Sequence, residues 1–509
     1  MLAAGLLREQ CRDDGSLVGR ALKKVAIEKL EHHRMRFAVA TLALLFALTA
    51  SPSARPSSLG ALLERMRRAA GPIWSTHFEA VVDISDGAIL TRARIDARGD
   101  RLILHRCLND LCLGRYYHGS YADDLTLNGA PLPAPQLTSS EPALLLALSH
   151  AFLRPGFRKA GGTVAVLPTT GSASQTLQIA APGIAPFTAR IGADALIRRV
   201  EIGSIRYDFS AYRRVGAIRV PTRIDRSGKP YLAFHRLRIE SAPFVAPHPI
   251  SLAFAAAPVV LPWRPRAKTP IVACSIAGQP LRCLIDSGNS GLSMTLTLAE
   301  RLHLQPTGTF EVQGIGDYLT ELVTAPPLQL GAATLPKATY VVLSDLEGTR
   351  YDVILGSDFL AAARVTIDGP QRRVIVRPRN TAESANGIPV RFLALVPTVR
   401  ATLATTPARL LVDTGDESTI NLGTAFFHAH PTLFRVIENR SVRGVGGSSI
   451  EHLGRIASIT LGPLHLTNVN IGSTERLHTA GDGHIGSGLL ARFVVTFDYE
   501  HGRIEFAQP

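Results

Sequence analysis

The stretch Leu284-Ile285-Asp286-Ser287-Gly288 decides the fold of the C-terminal half, because it recurs as Leu411-Val412-Asp413-Thr414-Gly415. Each copy has two apolar residues followed by Asp-[Ser/Thr]-Gly. One such triplet alone would be an ordinary turn sequence, since Asp, Ser and Gly all favour turns. Two copies in the same context instead indicate two similar segments that each contribute an aspartate to one site. Paired carboxylates are suited to acid–base chemistry.

The residues that follow the two triplets match in a nearly constant register. The two aspartates lie 127 positions apart (413 − 286), and every later pair lies 130 positions apart (for example 482 − 352). A single three-residue insertion reconciles all of them, so we expect a duplicated lobe. The matching pairs are Gly314-Ile315-Gly316 with Gly444-Val445-Gly446, Asp352 with Asp482, Gly356-Ser357 with Gly486-Ser487, Thr366 with Thr496, Asp368 with Asp498, and Arg373 with Arg503.

At these positions, over about 270–508, the sequence resembles the pepsin and retropepsin family of aspartic peptidases, in particular compact bacterial retropepsin-like members with both lobes in one chain. The resemblance implies two antiparallel β lobes, in which each Asp-[Ser/Thr]-Gly loop packs below an apolar-apolar-Gly segment, here 354–356 and 484–486. It also implies flap hairpins at 312–318 and 442–449. The flap glycines would be Gly314, Gly316, Gly444 and Gly446.

The same resemblance makes Asp286 and Asp413 the catalytic pair. Two neighbouring carboxylates cannot both ionise cheaply, so they share one proton and titrate as a unit. The ionised member takes a proton from water while the protonated member polarises the scissile carbonyl. No cofactor is needed for this reaction, and the expected substrate is a protein or peptide that lies extended beneath the flaps.

The other residues of the two triplets support the loops. The resemblance implies that Ser287 and Thr414 form hydrogen bonds across the twofold axis. Gly288 and Gly415 let backbone N–H groups approach the carboxylates, because a Cβ would crowd the site.

Three positions depart from the family pattern. Asn289 and Asp416 stand where a small residue, often Ser or Thr, follows the glycine. Asp416 and Glu417 would raise the proton affinity of the aspartate pair if they faced it, although they could equally point to solvent. His484 replaces an apolar residue, and we interpret it as a partly buried, hydrogen-bonded imidazole in preference to a catalytic one.

The region 59–242 is predicted to be strand-rich, with alternating stretches at 79–84, 89–95, 101–106, 196–205 and 217–224 separated by glycine-containing turns. One helix is predicted within it, capped by Ser139 or Ser140, with Pro142 in its first turn and Pro155 beyond its end. Its apolar stripe is Leu144, Leu145, Leu148, Phe152 and Leu153.

This order of elements, with Tyr207-Asp208-Phe209-Ser210-Ala211-Tyr212 leading into 215–221, resembles the half-barrel of bacterial lipoprotein-sorting factors. A generic antiparallel sheet is the alternative. The fold class is therefore mainly β: an N-terminal antiparallel half-barrel with a helix, then a bilobed acid-protease fold. Seven prolines between 241 and 270 make 243–269 a linker with one strand inside it, and the predicted lobes are 270–380 and 388–509, joined by a polar connector at 377–387.

The N-terminus has the layout of a secretory signal. Arg34-Met35-Arg36 precedes an apolar run that is too short to span a membrane, and small residues and Pro follow it, so 35–54 is predicted to be a signal peptide. Residues 1–34 are an unusual preface, which a start at Met35 would explain; an uncleaved anchor is the alternative. The expected location is periplasmic or secreted, with no stable membrane span after processing.

Export would place the cysteines in an oxidising compartment. Cys107 and Cys112 could bridge the end of a hairpin. A two-residue turn at Gly278-Gln279 would place Cys274 opposite Cys283 in a non-hydrogen-bonded pair, within disulfide reach. The alternative for this second pair is two small buried apolar residues.

Composition excludes several other functions. The net charge is +14 and the pI about 10.0, but the basic residues are scattered without a run of five, so nucleic-acid binding is not expected. No H-E-x-x-H, G-x-S-x-G, Walker loop or paired C-x-x-C occurs, and no metal site is predicted.

The sequence thus predicts an exported aspartic endopeptidase that is a monomer with an intramolecular pseudo-dimer. The alternative is a catalytically silent periplasmic binding or chaperone-like protein.

Overall fold

The computed structural model describes residues 58–508 except 87–88, 109–110, 135–139, 169–173, 314–315, 345–349, 380–386 and 476–480. Most of this range is β-strand, which confirms the prediction of a mainly β chain. The predicted extension 1–34 and signal peptide 35–54, and most of the connector 377–387, lie outside the described residues. Within the described residues, no helix is long and apolar enough to cross a membrane.

The N-terminal half is one curled antiparallel sheet of thirteen strands, with spatial order β6-β5-β4-β3-β2-β1-β13-β12-β11-β10-β9-β8-β7. Its strands are β1 (His77–Asp86), β2 (Ile89–Arg98), β3 (Arg101–Leu108), β4 (Leu111–His118), β5 (Tyr121–Leu125), β6 (Pro131–Pro133), β7 (Thr163–Leu167), β8 (Gln175–Ala181), β9 (Ile184–Ile191), β10 (Ile197–Ile202), β11 (Ile205–Val215), β12 (Ile218–Arg226) and β13 (Lys229–Ile239). Helices α1 (Leu59–Ala70) and α2 (Ser140–Leu148) bury their apolar side chains in the same core as the sheet.

Two details of this half differ from the sequence prediction. Helix α1 was not predicted; it begins after Ser58, whose hydroxyl accepts a hydrogen bond from the N–H of Ala61 at 3.3 Å. The predicted strand at 196–205 is interrupted, because Gly203 adopts φ 57° and turns the chain between β10 and β11. The predicted helix is present as α2, followed by a 3₁₀ turn at Ala151–Leu153 before Pro155.

The C-terminal half contains three sheets around one continuous core. Their spatial orders are β14-β22-β21-β16-β17-β24-β18-β23-β20-β19, β15-β26-β25-β36-β37-β27 and β28-β29-β30-β35-β31-β34-β33-β32. The first thirteen strands are β14 (Ala253–Phe254), β15 (Val259–Pro262), β16 (Ile271–Ile276), β17 (Gln279–Ile285), β18 (Leu292–Thr295), β19 (Pro306–Gln313), β20 (Asp317–Ala325), β21 (Leu328–Leu330), β22 (Ala333–Leu335), β23 (Ala338–Leu343), β24 (Val353–Leu355), β25 (Arg364–Asp368) and β26 (Arg373–Arg377). Short helices α3 (Leu296–Arg301) and α4 (Ser357–Ala362) lie among them.

The remaining strands are β27 (Ile388–Pro389), β28 (Arg391–Leu393), β29 (Val396–Leu403), β30 (Thr406–Asp413), β31 (Ile420–Leu422), β32 (Arg435–Gly444), β33 (Gly447–Leu461), β34 (Leu464–Thr474), β35 (Gly483–Gly486), β36 (Val494–Asp498) and β37 (Arg503–Ala507). They are accompanied by α5 (Thr424–Ala429) and α6 (Ser487–Leu490).

The two outer sheets of the C-terminal half share one arrangement of strands. Strand β17 is parallel to β24, which is antiparallel to β18, and β18 is parallel to β23. Strands β30, β35, β31 and β34 repeat these three pairings in the same order. The central sheet joins strands from the first segment (residues 270–380) and the second segment (residues 388–509). In this sheet Thr366 pairs with Thr496, and their hydroxyl oxygens are 3.0 Å apart.

The proline-rich segment 243–269 supplies two strands, where one was predicted. Strand β14 pairs with β22 at the edge of the first outer sheet, and β15 pairs with β26 at the edge of the central sheet. Leu261 and Trp263 are buried in the core of the C-terminal half. Much of this segment is therefore part of the packed structure beside it.

The disulfide Cys274–Cys283 is present, with a Cα–Cα distance of 5.9 Å, but the predicted register was wrong. The turn is Ala277-Gly278, with φ values of 49° and 76°, as a type I′ hairpin turn requires. Cys274 therefore lies opposite Leu281, and the bridge joins diagonal positions. The backbone of Cys107 lies opposite that of Cys112 at the end of the β3–β4 hairpin, while their side chains lie outside the described residues.

Candidate active site

The two Asp-[Ser/Thr]-Gly loops begin where two equivalent strands end. Asp286 follows β17, and its N–H donates to the carbonyl of Leu355 on the neighbouring parallel strand at 3.0 Å. Asp413 is the last residue of β30 and lies opposite Gly486 of the parallel strand β35. The parallel pairing fixes both backbones, so the two aspartates meet at the junction of the segments.

The two carboxyl groups are in hydrogen-bonding contact, and each triplet glycine lies against the opposite aspartate. A Cβ at Gly288 would be 2.3 Å from Cγ of Asp413, and a Cβ at Gly415 would be 2.4 Å from Cγ of Asp286. The N–H of Gly288 donates to Oδ1 of Asp286 at 2.8 Å, and the N–H of Gly415 donates to Oδ1 of Asp413 at 3.0 Å. Any side chain at either glycine would displace a carboxyl group.

The hydroxyl groups of Ser287 and Thr414 tie the two loops together. The N–H of Ser287 donates to Oγ1 of Thr414 at 3.0 Å, and the N–H of Thr414 donates to Oγ of Ser287 at 3.1 Å. Each hydroxyl in turn donates across the junction, Ser287 to the carbonyl of Val412 at 2.7 Å and Thr414 to that of Ile285 at 2.8 Å. All four bonds are buried and join opposite segments, so they fix the relative position of the aspartates.

Each loop packs against an apolar-apolar-Gly segment. A Cβ at Gly356 would be 2.2 Å from the carbonyl oxygen of Asn289, and a Cβ at Gly486 would be 2.3 Å from that of Ser418. The next residue in each segment is a buried serine. Ser487 donates its hydroxyl proton to the carbonyl of Thr414 at 2.7 Å. Glycine is needed here because the backbones are in direct contact.

The two aspartates differ in their proton affinity. Burial, together with the charge of Asp413, holds the pKa of Asp286 well above its usual range. Burial alone would also raise the pKa of Asp413, but the hydrogen bond and positive charge of His484 outweigh it and lower that pKa. Two coupled carboxyl groups with pKa values shifted in opposite directions are suited to sharing one proton.

His484 is a largely buried, hydrogen-bonded imidazole, as interpreted from the sequence, but its position beside Asp413 was not predicted. Its Nδ1 is 3.3 Å from Oδ2 of Asp413 and 4.0 Å from Oδ2 of Asp416, and its side chain is 17% exposed. Burial would lower the pKa of the imidazole, but the hydrogen bond to Asp413 and the charges of both carboxylates raise it. The available signal was its position two residues before Gly486, on the strand that runs beside Asp413.

Asp416 and Glu417, the two acidic residues that follow the second triplet, make different contacts. Asp416 turns back on its own loop, where its carboxylate accepts from the N–H and hydroxyl of Ser418, both at 2.7 Å. Burial and the charge of Asp413 raise the pKa of Asp416. Glu417 is exposed and pairs with Lys268 at 2.9 Å. In the first loop, the amide of Asn289 donates to the carbonyl of Gly291 at 3.1 Å.

The predicted flap segments are the ends of two hairpins, β19–β20 and β32–β33. Gly316 and Gly446 touch: a Cβ at Gly316 would be 2.2 Å from the carbonyl oxygen of Gly446, which has φ 83°. Gly444 pairs with Gly447 at the end of the second hairpin, and Gly314 lies outside the described residues. The two hairpin tips therefore meet through glycine backbones. Within the described residues, no group of three or more His, Cys, Asp or Glu side chains could hold a metal.

Comparison with known proteins agrees with this geometry over part of the chain. No curated protein matches the sequence. A family model described as aspartyl protease matches residues 272–359, which include Asp286 and the segment 354–356 that packs against its loop. Residues 272–359 thus form an aspartyl protease-like region.

Proposed function

We propose that this protein is an exported aspartic endopeptidase in which Asp286 and Asp413 hydrolyse peptide bonds. The observation that supports it most directly is the contact between the two carboxyl groups, whose pKa values are shifted in opposite directions. One acid and one base side by side are what water-mediated amide hydrolysis requires. The family match over 272–359 supports the same chemistry for the first segment.

The proposed mechanism assigns one role to each aspartate. Asp413, ionised, removes a proton from a water held between the carboxyl groups, and that water attacks the scissile carbonyl carbon. Asp286, protonated, donates its proton to the carbonyl oxygen as the tetrahedral intermediate forms. Asp413 then gives the proton that it took from water to the leaving amine nitrogen, and the C–N bond breaks. A hydroxyl group of the intermediate returns its proton to Asp286 as the new carboxyl group forms, so the two peptides leave and the pair regains its starting state. The hydrogen bonds of Ser287 and Thr414 hold the two carboxyl groups in position throughout.

We further propose that the two outer sheets are copies of one duplicated lobe. The repeated order of parallel and antiparallel pairings supports this, as does the contact of Thr366 with Thr496, which are partners in the 130-residue register. Equivalent hydrogen bonds also support the duplication. The backbone N–H of Arg282 donates to Asp352 at 2.9 Å, and the backbone N–H of Arg409 donates to Asp482 at 2.7 Å. The substrate would lie extended between the lobes, beneath the touching hairpin tips, and one chain would suffice as a monomer.

Export is proposed from the apolar run before Ala50 and from the disulfide Cys274–Cys283, since disulfides persist in oxidising compartments. The proposed location is periplasmic or secreted. The curled thirteen-stranded sheet with two helices against it is compatible with a half-barrel like those of lipoprotein-sorting factors.

The competing proposal is a silent protein that binds a ligand in the N-terminal half. That half encloses an apolar cavity of about 100 Å³, lined by side chains that include Phe78, Leu102, Leu145 and Phe234. Ligand pockets usually measure roughly 300 Å³ or more. The apolar cavity is smaller than that, although a polar pocket of about 420 Å³, lined by residues that include Arg94, His105 and Arg236, lies in the same half. We favour the peptidase because the two triplet aspartates lie side by side, each against the glycine of the other loop.

The test is cleavage of an unfolded, fluorescently quenched protein by the purified full chain, from acid to neutral pH. Asp286→Asn and Asp413→Asn should each reduce the rate by at least about 10³-fold, because each removes one member of the acid–base pair. Asp194→Asn is the matched control, since Asp194 is an exposed partner of Arg198 far from the site in sequence. Cleavage that survives both substitutions, or no cleavage by the parent at any pH, would exclude the proposal.

A further inference from the structure

His484 gives the second segment a different side chain from the first on the strand that runs beside its aspartate loop. It lies on β35, between β30 and β31, with Leu411 and Asn421 as its strand neighbours. The corresponding residue of the first segment, 130 positions earlier (484 − 354), is the buried and apolar Ile354. At this position, therefore, the second segment has a titratable side chain beside its aspartate and the first has an apolar one.

The groups around His484 leave Asp413 as its principal partner. Oδ1 of Asp413 already accepts the N–H groups of Gly415 and Asp416, at 3.0 and 3.1 Å, so Oδ2 faces the imidazole. On the side of β31 the neighbour is the uncharged Asn421, whose amide bonds Thr474 at 2.9 Å.

Four other acidic groups could influence the imidazole. Asp416, on the loop after β30, is the second carboxylate at 4.0 Å. Glu417 pairs with Lys268, and Asp482 accepts from the N–H of Arg409. Asp286 reaches the imidazole only through its contact with Asp413.

We infer that His484, as an imidazolium, is a positioning residue that keeps Asp413 ionised and leaves the shared proton on Asp286. This inference rests on the proposed peptidase function and deepens it, because it assigns the base and the acid to particular aspartates. In a symmetric pair either carboxyl group could hold the proton. A cation at 3.3 Å from one of them makes the two arrangements unequal.

The directions of the pKa shifts agree with this assignment. The pKa of Asp286 is raised, that of Asp413 is lowered, and that of His484 is raised. The positive charge of His484 also offsets the negative charge of Asp416, which would otherwise increase the proton affinity of the pair. An acidic residue after the triplet is thereby tolerated beside the aspartates.

The first experiment measures kcat/KM against pH for the parent, His484→Gln and His484→Ile. Glutamine keeps an N–H donor but no titratable charge, and isoleucine reproduces the first segment. Without the cation, Asp413 should bind a proton more readily, so the acid limb should move to higher pH by about one unit, a tenfold change in proton affinity. His465→Gln, at an exposed histidine bonded to Thr460, should leave the profile unchanged. A lower kcat with unmoved limbs would show a merely structural role and overturn the inference.

The second experiment does not depend on activity. The imidazole of His484 is titrated by NMR in the parent, in Asp413→Asn and in Asp416→Asn, with its signal assigned by its loss in His484→Gln. The pKa should fall by about one unit or more in Asp413→Asn and by less in Asp416→Asn. An imidazole whose titration ignores Asp413 would overturn the inference. A coupled imidazole in a chain that cleaves nothing would support the charge arrangement while excluding the proposed function.

Discussion

The contact of each triplet glycine with the opposite aspartate gives the sharpest prediction for a single residue. A methyl group at Gly288 would be 2.3 Å from Cγ of Asp413, so that carboxyl group must move. A displacement of about 1 Å at a reacting group costs about 100-fold in rate. We therefore expect Gly288→Ala and Gly415→Ala each to lower kcat by about 100-fold or more, measured on the quenched substrate at the pH optimum of the parent.

The control is an alanine where the same methyl group has room. Gly60 lies near the start of α1, where a Cβ would come no closer than 4.0 Å, to Oγ of Ser58. Gly60→Ala should keep full activity. Thermal unfolding of each variant separates a moved carboxyl group from a misfolded chain. Full activity in folded Gly288→Ala would contradict the contact between the loops.

Sequence reasoning identified the residues that repeat and underestimated the one that does not. The aspartates, glycines and hydroxyl residues were identified because each recurs in register with a partner of the same chemistry. The resemblance placed 484–486 against the second loop, but His484 has an apolar partner in that register, so the repeat gave no reason to expect its contact with Asp413. Its role depends on the parallel pairing of β30 with β35, which a single sequence does not reveal.

The β16–β17 hairpin leads directly to Asp286. The disulfide Cys274–Cys283 stabilises this hairpin. The bridge joins residues nine positions apart in sequence, and closing a loop of this length contributes about 2–3 kcal/mol. Replacing both Cys274 and Cys283 with Ser should therefore lower the free energy of unfolding by about that amount in urea. A reductant should destabilise the parent by about that much more than it destabilises the double variant, in which only the cysteines outside this hairpin can respond. An equal effect of the reductant on both proteins would show that this bridge contributes nothing.

The predicted boundaries of two elements were wrong where the local sequence is compatible with two structures. Leu62, Leu63, Met66 and Ala70 have helical spacing and form the buried face of α1, but the strand-rich pattern after it was extended back over them. In the β16–β17 hairpin, glycine could occupy the first or second turn position. Ala277 accepts φ 49°, which moves the turn by one residue and changes the partner of Cys274 from Cys283 to Leu281, so the cysteines lie in diagonal positions.

At the scale of the whole molecule, the N-terminal half contacts the back of the candidate site. The loop between β5 and β6 reaches the fully buried Asp358 of α4: the hydroxyl of Thr126 donates to one carboxylate oxygen, and the amide of Asn128 donates to the other at 2.8 Å. Asp358 follows Ser357, whose N–H donates to the carbonyl of Asn289 at 2.9 Å. Contacts over more than 200 positions of sequence leave no local pattern, so this one was not predictable.

Burial makes this contact dependent on pH. It raises the pKa of Asp358 to about 6, against an ordinary value of 3.8, so the folded state favours the protonated carboxyl group. The resulting stabilisation is complete below about pH 4 and is lost as the pH rises through about 6, by up to about 3 kcal/mol. In urea unfolding, Asp358→Asn should therefore gain stability relative to the parent between these pH values. Asp194→Asn should follow the parent, and identical slopes for all three would contradict the prediction.

Asn128 tests whether the N-terminal half acts through that carboxyl group. Its amide lowers the pKa of Asp358 by donating to it, and its carbonyl oxygen accepts the N–H of Thr339 at 2.8 Å. Asn128→Ala should cost about 1–3 kcal/mol at neutral pH, because it leaves a buried carboxylate with fewer donors. In the Asp358→Asn background the cost should be smaller, since no charge remains to be satisfied. Strictly additive costs would mean that Asn128 stabilises the junction independently of Asp358. A smaller cost in the Asp358→Asn background would mean that the N-terminal half supports the loop of Asp286 through Asp358. Removal of the N-terminal half would then disturb the site.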